Sequence, residues 1–288
     1  MKVGGLLFVL GCALVAQDGA ESRTAATRPL TPAERVAAID QEYEDAITAY
    51  SNAYEAAATP EEKEKLRFPT PDAWHSRLFA IAKEDPKSPG AEAALEWIVS
   101  HSNRGQDFAW ALALLATVHL ESPTLKKACE RLEFAECPEA ETFLRMVRRS
   151  SPHRDVRALA TYTLAKHLKW LGGSAAFIQS SDDAGWLERT ESHYGREEFA
   201  RRKALDAGAV LKGAEALFVE VTEKYADVPG GFGGPPLGPR AAGFLFEMRN
   251  LAVGKVAPEI EGENVDGKPM RLTDFRGKVV VLDFWGFW

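Results

Sequence analysis

Cysteine is scarce: the 288 residues hold three, Cys12, Cys129 and Cys137, too few for a chain of this length to rest on a disulfide framework. Lysine and arginine never gather into a block, and 42 acidic side chains outnumber 35 basic ones, for a net charge of −7. A nucleic-acid surface needs clustered cations to displace counterions from phosphates, so that class is excluded and no nucleic-acid partner is expected. Long apolar runs are missing beyond the N-terminus. The best of them, Phe108 to Leu120, has 13 residues, against the roughly 20 that a membrane span requires. The six histidines, at positions 75, 101, 119, 153, 167 and 193, form no His-Glu-x-x-His helix and none stands beside a cysteine at ligand spacing, so neither a metal nor another cofactor is expected. What is present, 45% hydrophobic and 27% charged residues, makes a globular protein of one large or two ordinary domains.

The N-terminus reads as an address. Met1-Lys2 is followed by an apolar stretch from Val3 to Ala16 and then by Gln17-Asp18-Gly19, the order of a secretory signal. Residues 1–20 are assigned to it, with cleavage expected between Ala16 and Ala20. Val9-Leu10-Gly11-Cys12 also resembles a lipobox, which offers lipidation at Cys12 as an alternative. Export to the periplasm or cell envelope is the expectation common to both.

From residue 31 to 251 the pattern is helical. Thr31-Pro32-Ala33-Glu34 and Thr59-Pro60-Glu61-Glu62 are capping boxes with proline at the first helical position, opening helices expected to run to Ala58 and to just before Phe68. Ser-Pro pairs at 88, 122 and 151 stand 34 and 29 residues apart. Taken as helix starts, they divide the chain into pairs: Asp72 to Glu84 with Pro89 to Ser102, Asp107 to Leu120 with Pro123 to Phe134, and Pro138 to Arg149 with Pro152 to Trp170. Leu78, Ile81 and Ala82, and Leu159, Tyr162, Leu164 and Leu168, fall at helical spacing and form the buried stripes. A two-helix period of this length predicts a tetratricopeptide-like helical-repeat region, without that repeat's fixed Trp, Gly and Tyr positions. Leu171-Gly172-Gly173-Ser174 is expected to end the last paired helix, followed by an irregular stretch to Tyr194. A long helix from Arg196 to Tyr225, a Gly-Pro loop at 230–236 and a final helix from Pro239 to Leu251 complete the body. Cys129 and Cys137, eight residues apart, cannot be a Cys-x-x-Cys pair and are either a structural disulfide or two separate buried thiols. The acidic run Glu61-Glu62-Lys63-Glu64 is a solvated face. The body reads as a docking scaffold or a spacer, and a protein partner, where there is one, is expected on the helical repeats.

The last 36 residues turn β-prone. Asp266-Gly267 marks a tight hairpin turn with Met270-Arg271-Leu272 as the returning strand. Thr273-Asp274-Phe275-Arg276-Gly277 reads as one capped turn closed by glycine, and Val279 to Trp285 as a central strand buried on both faces. On Gly254, Ala257-Pro258, Asp266-Gly267-Lys268, Leu272 to Lys278 and Val280 to Trp285, this segment resembles the opening of the redoxin group of thioredoxin-fold proteins. That group comprises the alkyl hydroperoxide reductase/thiol-specific antioxidant family and the TlpA-like thiol-disulfide oxidoreductases. The fold expected is therefore mainly α: a helical-repeat region at 31–251 followed, at 253–288, by the N-terminal β portion of a truncated thioredoxin-like α/β domain.

The resemblance implies an exported oxidoreductase or peroxidase with antioxidant activity, acting on a protein disulfide or a peroxide. In the family the strand leads to a Trp and then Cys-x-x-Cys, whose first thiolate attacks. Here the sequence reads Phe284-Trp285-Gly286-Phe287-Trp288, one residue short of that position, so no catalytic, cofactor-binding or metal residue is transferred to this chain. The expectation is a following UGA codon for selenocysteine, read as a stop; a nonsense mutation, a sequencing break and a scaffold without its redox half are the alternatives. Trp285 and Trp288 would border the active-site turn. Asp283 is either the family's buried acid or a strand-end carboxylate facing solvent. A hairpin with one exposed apolar strand is not expected to make a stable sheet alone.

Overall fold

The computed structural model describes residues 28–231 and 234–286. The signal, the cleavage region and Cys12 lie outside the described residues, as does Trp288. Among the described residues the chain is mainly α, with one two-stranded sheet.

Local chemistry sets most of the helix starts. Thr31 accepts the Glu34 N–H while the Glu34 carboxylate accepts the Thr31 N–H, opening α1 (Pro32–Ala56). Thr59 and Glu62 do the same for α2 (Pro60–Lys65). The helix α3 (Asp72–Glu84) is followed by α4 (Pro89–His101), whose first turn is capped by the Ser88 hydroxyl on Ala91 N–H. Next come α5 (Gln106–Val118), α6 (Leu125–Glu130), α7 (Pro138–Ser150) and α8 (Arg154–Ser180). Then come α9 (Ala184–Tyr194), α10 (Arg196–Ala204), α11 (Ala207–Lys224) and α12 (Leu237–Phe246), the last continuing as a π-helical turn over Glu247–Leu251.

The helices pack largely in series: α3 on α4, α4 on α5, α5 on α7, α7 on α8, α8 on α11 and α11 on α12, with α1 against α3 and α4. One continuous core runs through them, from Val36 and Ile39 through Leu78, Ile98, Phe108, Leu115, Phe143 and Leu164 to Phe218 and Leu245. The stripes expected from periodicity, Leu78, Ile81 and Ala82 and Leu159, Tyr162, Leu164 and Leu168, are all buried. Glu61, Glu62 and Glu64 are exposed.

Several boundaries differ from the sequence reading. Of the three Ser-Pro pairs only Ser88 caps a helix. Ser122 instead accepts the Thr124 N–H and Ser151 the His153 N–H, two residues on, so these serines shape turns and the helices begin later, at Leu125 and Arg154. The helix expected over Pro123 to Phe134 is correspondingly short. Gly172-Gly173 does not end α8, which runs ten residues beyond Trp170. Gly172 sits where α11 crosses: a Cβ there would lie 2.8 Å from Leu211 Cγ and 3.3 Å from Val210 Cγ1, so this glycine permits close helix packing. The single helix expected from Arg196 to Tyr225 is two, because the Asp206 carboxylate accepts the Ala209 N–H at 2.9 Å and starts α11 anew.

One buried cation ties α10 to α8 and α9. Arg202 is fully buried, its guanidinium 4.3 Å from the Trp170 ring centroid and 4.0 Å from that of Tyr194. Its Nε donates to Glu198 at 2.7 Å and its Nη1 to Ser174 Oγ at 3.1 Å.

Candidate functional site

The C-terminal segment forms β1 (Glu261–Glu263) and β2 (Pro269–Arg271), antiparallel with Gly262 opposite Met270. The turn is longer than a two-residue Asp-Gly hairpin. Asn264 Oδ1 accepts the N–H groups of Asp266 and Lys268, both at 2.9 Å, and Gly267 takes φ +74°, a backbone that an L side chain strains. A 3-10 turn, Leu272–Phe275, comes at once, begun by the Asp274 carboxylate on Arg271 N–H at 2.8 Å and closed by Gly277 at φ +83°. It is stapled back to the segment before β1: Leu272 N donates to Ile260 O at 2.9 Å, and Glu259 accepts Thr273 N–H at 3.1 Å and its hydroxyl at 2.6 Å. The Thr273 hydroxyl is the main reason the Glu259 carboxyl titrates below the usual carboxylate range.

Beyond Lys278 the expected buried strand is not formed. Residues 279–286 are in neither helix nor strand and are exposed, Val279 and Val281 almost fully. A strand is held by ladder bonds to a neighbour, and the two strands among the described residues pair with each other. Asp283 is exposed, which matches the solvent-facing reading and not the buried acid.

The body's thiols are chemically quiet. Cys129 and Cys137 are both free, so the disulfide alternative is overturned; Cys129 lies in α6 in the core and Cys137 caps the start of α7. Burial pushes the Cys129 thiol well above its ordinary value and the Cys137 thiol up to about 12. At neutral pH Cys137 then carries roughly a thousandfold less thiolate than a free cysteine. Mass-resolved alkylation of the native protein at pH 8 should therefore leave both thiols unmodified for hours, and modify both within minutes in urea. Fast native labelling of either would contradict this burial.

Two carboxylates converge on one hydroxyl inside the body. Thr124 Oγ1 lies 2.5 Å from Glu92 and 2.9 Å from Glu96, one helical turn apart on α4. Burial pushes the Glu96 carboxyl above the usual range, the Thr124 hydrogen bond opposing it and the Glu92 charge adding to it. Among the described residues no group of three His, Cys, Asp or Glu side chains is placed to hold a metal ion, and no helix is long and apolar enough to cross a membrane.

Comparison with known proteins gives short matches of one kind. The chain is 47% identical over 47 residues to the thiol-disulfide oxidoreductase ResA of Geobacillus thermodenitrificans, 16% of this chain and 27% of that one. It is 44% identical over 45 residues to ResA of Geobacillus kaustophilus (16% and 26%) and 39% over 46 residues to that of Bacillus cereus (16% and 27%). These matches support a thioredoxin-like redoxin relationship. The chain spans about a quarter of the length of the curated relatives it matches. No family model matches it, and no solved structure does.

Proposed function

We propose that this protein is an exported thiol-disulfide oxidoreductase of redoxin type, in which a helical-repeat body at 31–251 carries a redoxin-like segment at 253–288. The observation that carries the reading is the run of short matches to ResA proteins, supported by the order of hairpin, 3-10 turn and extended apolar run. The substrate class is a protein disulfide, with a peroxide as the second choice. Exchange would proceed by attack of a thiolate or selenolate on a sulfur of the disulfide, with a neighbouring cysteine resolving the mixed species. Cys129 and Cys137 do not fill that role, since burial holds both protonated. The nucleophile is assigned to neither body thiol, and the address at residues 1–20 to export.

The 288-residue chain itself should show no insulin reduction with dithiothreitol above a protein-free control. Since the chain spans about a quarter of the relatives it matches, sequencing the gene on both sides of this stretch should reveal a Cys-containing redoxin-like continuation. Turnover by the 288-residue chain would refute the claim that its body thiols are inert. A continuation without any such sequence would overturn the oxidoreductase reading and leave the alternative, a non-enzymatic scaffold. For that alternative the specific observation is an apolar groove between α5 and α7, lined by Leu112, Ala116, Phe143 and Met146.

A further inference from the structure

The redoxin reading leaves one polar trio of the helical body unused. His75, on α3, is buried at 2% exposure. Its Nδ1 lies 3.0 Å from Asp107 Oδ2, in the first turn of α5, and its Nε2 lies 3.3 Å from Ser102 Oγ, the residue that closes α4. Asp72 stands further off, 3.6 Å from Nδ1. A carboxylate accepts, so Nδ1 carries the proton and Nε2 presents its lone pair to the serine hydroxyl. That is the atom-by-atom order by which an imidazole held in one tautomer takes a proton from a nucleophilic serine. The Trp97 ring meets His75 edge-on, with centroids 6.4 Å apart, which fixes the imidazole plane from the core side. Ser102 is half-buried.

The start of α5 adjoins the trio. Gly105 precedes α5 with φ +92° and provides no side-chain cap, and its carbonyl accepts the Ala109 N–H at 3.1 Å. The N–H groups of Gln106, Asp107 and Phe108 thus precede the first bond of the helical ladder, on the same turn that holds Asp107 and within a few residues of Ser102. Backbone donors at a helix start stabilise a developing oxyanion.

We propose that Ser102, His75 and Asp107 form a nucleophilic site that hydrolyses small, uncharged carboxylic esters. Ser102 Oγ attacks the ester carbonyl carbon while its proton passes to His75 Nε2. The Oγ–C bond forms, the bond from carbon to the alcohol oxygen breaks, and the leaving alkoxide takes the proton from Nε2. Water then attacks the acyl group on Ser102, His75 again holding and returning the proton, and the carboxylic acid leaves with Ser102 restored. Asp107 is a positioning residue that keeps Nδ1 protonated and the ring in place.

The test uses the full chain with a fluorophosphonate probe, the adduct located by tandem mass spectrometry, and p-nitrophenyl acetate hydrolysis followed beside it. Expected are one adduct on Ser102, its loss in Ser102→Ala, and an acetate burst of one equivalent per chain. Asp107→Asn, a change at a partly exposed side chain, should slow labelling at least tenfold and move its pH profile, with an unchanged circular dichroism spectrum. A probe adduct no stronger than in Ser102→Ala, or an Asp107→Asn variant labelled at the wild-type rate, overturns the proposal. Neither result depends on the redoxin-like segment, since the trio lies wholly in the helical body.

Discussion

Replacing Glu198 with alanine should cost about 3–5 kcal/mol of folding free energy, among the largest losses available to a single polar change in this protein. The reason is Arg202. Its guanidinium is fully buried between Trp170 and Tyr194, and Glu198, itself 13% exposed, is the carboxylate that neutralises it. Removing the carboxylate strands a positive charge that cannot reach water, whereas removing both members and filling the volume with apolar groups is often neutral or better. Urea denaturation of Glu198→Ala, Arg202→Met and the double variant therefore separates the pair from its parts: the first should fall furthest, and the double variant should recover much of the loss. Equal losses in all three would mean that packing of the arginine stem, not charge, holds α10 in place. The pH dependence carries a definite sign. Burial pushes the Glu198 carboxyl up, but hydrogen bonds from Arg201 and Arg202 outweigh it and hold it below its ordinary value. Its contribution is thus complete above the unfolded carboxyl pKa, near 4.3, and is lost as pH falls through the lower folded value.

Two neighbouring glycines in α8 should respond in opposite directions. Gly172→Leu should destabilise the protein by about 1–3 kcal/mol, since added atoms enter space already held by Leu211 and Val210 of α11 and force one helix away from the other. At Gly173 nothing lies within 4 Å of an added Cβ. Gly173→Ala should accordingly stabilise by about 0.5–1 kcal/mol, the ordinary gain from filling a mid-helix glycine. Melting curves of the two variants beside the wild type check both. A loss at position 173 equal to that at 172 would place the α8–α11 contact on the other face of the helix.

The same pair shows where the sequence was legible and where it was not. Reading Gly-Gly as a helix end relied on propensity, a local quantity, while the glycine's purpose lies far along the chain in Leu211. Capping boxes depend only on residues within one turn, and Thr31 with Glu34 and Thr59 with Glu62 formed as their spacing implied. Ser122 and Ser151 share their dipeptide with Ser88 but sit in turns, because the residues after each serine decide whether a helix can start at once. Asp206 was a missed signal: an aspartate three residues before Ala209 was visible as a cap inside what read as one long helix. The Ser102, His75 and Asp107 trio belongs to a different kind. Its members come from three helices and obey no motif spacing, so only the packing of α3, α4 and α5 brings them together. The buried strand expected at 279–285 failed for the complementary reason: an apolar run states what a strand would bury, and a ladder partner must come from elsewhere in space.

The two shielded cysteines bear on how the body responds to disulfide exchange. Exchange partners sample a protein through thiolates, and Cys129 and Cys137 offer almost none. The helical region thereby presents almost no thiolate for a disulfide to trap as a mixed species. Its fold consequently needs no oxidant to form and no reductant to survive.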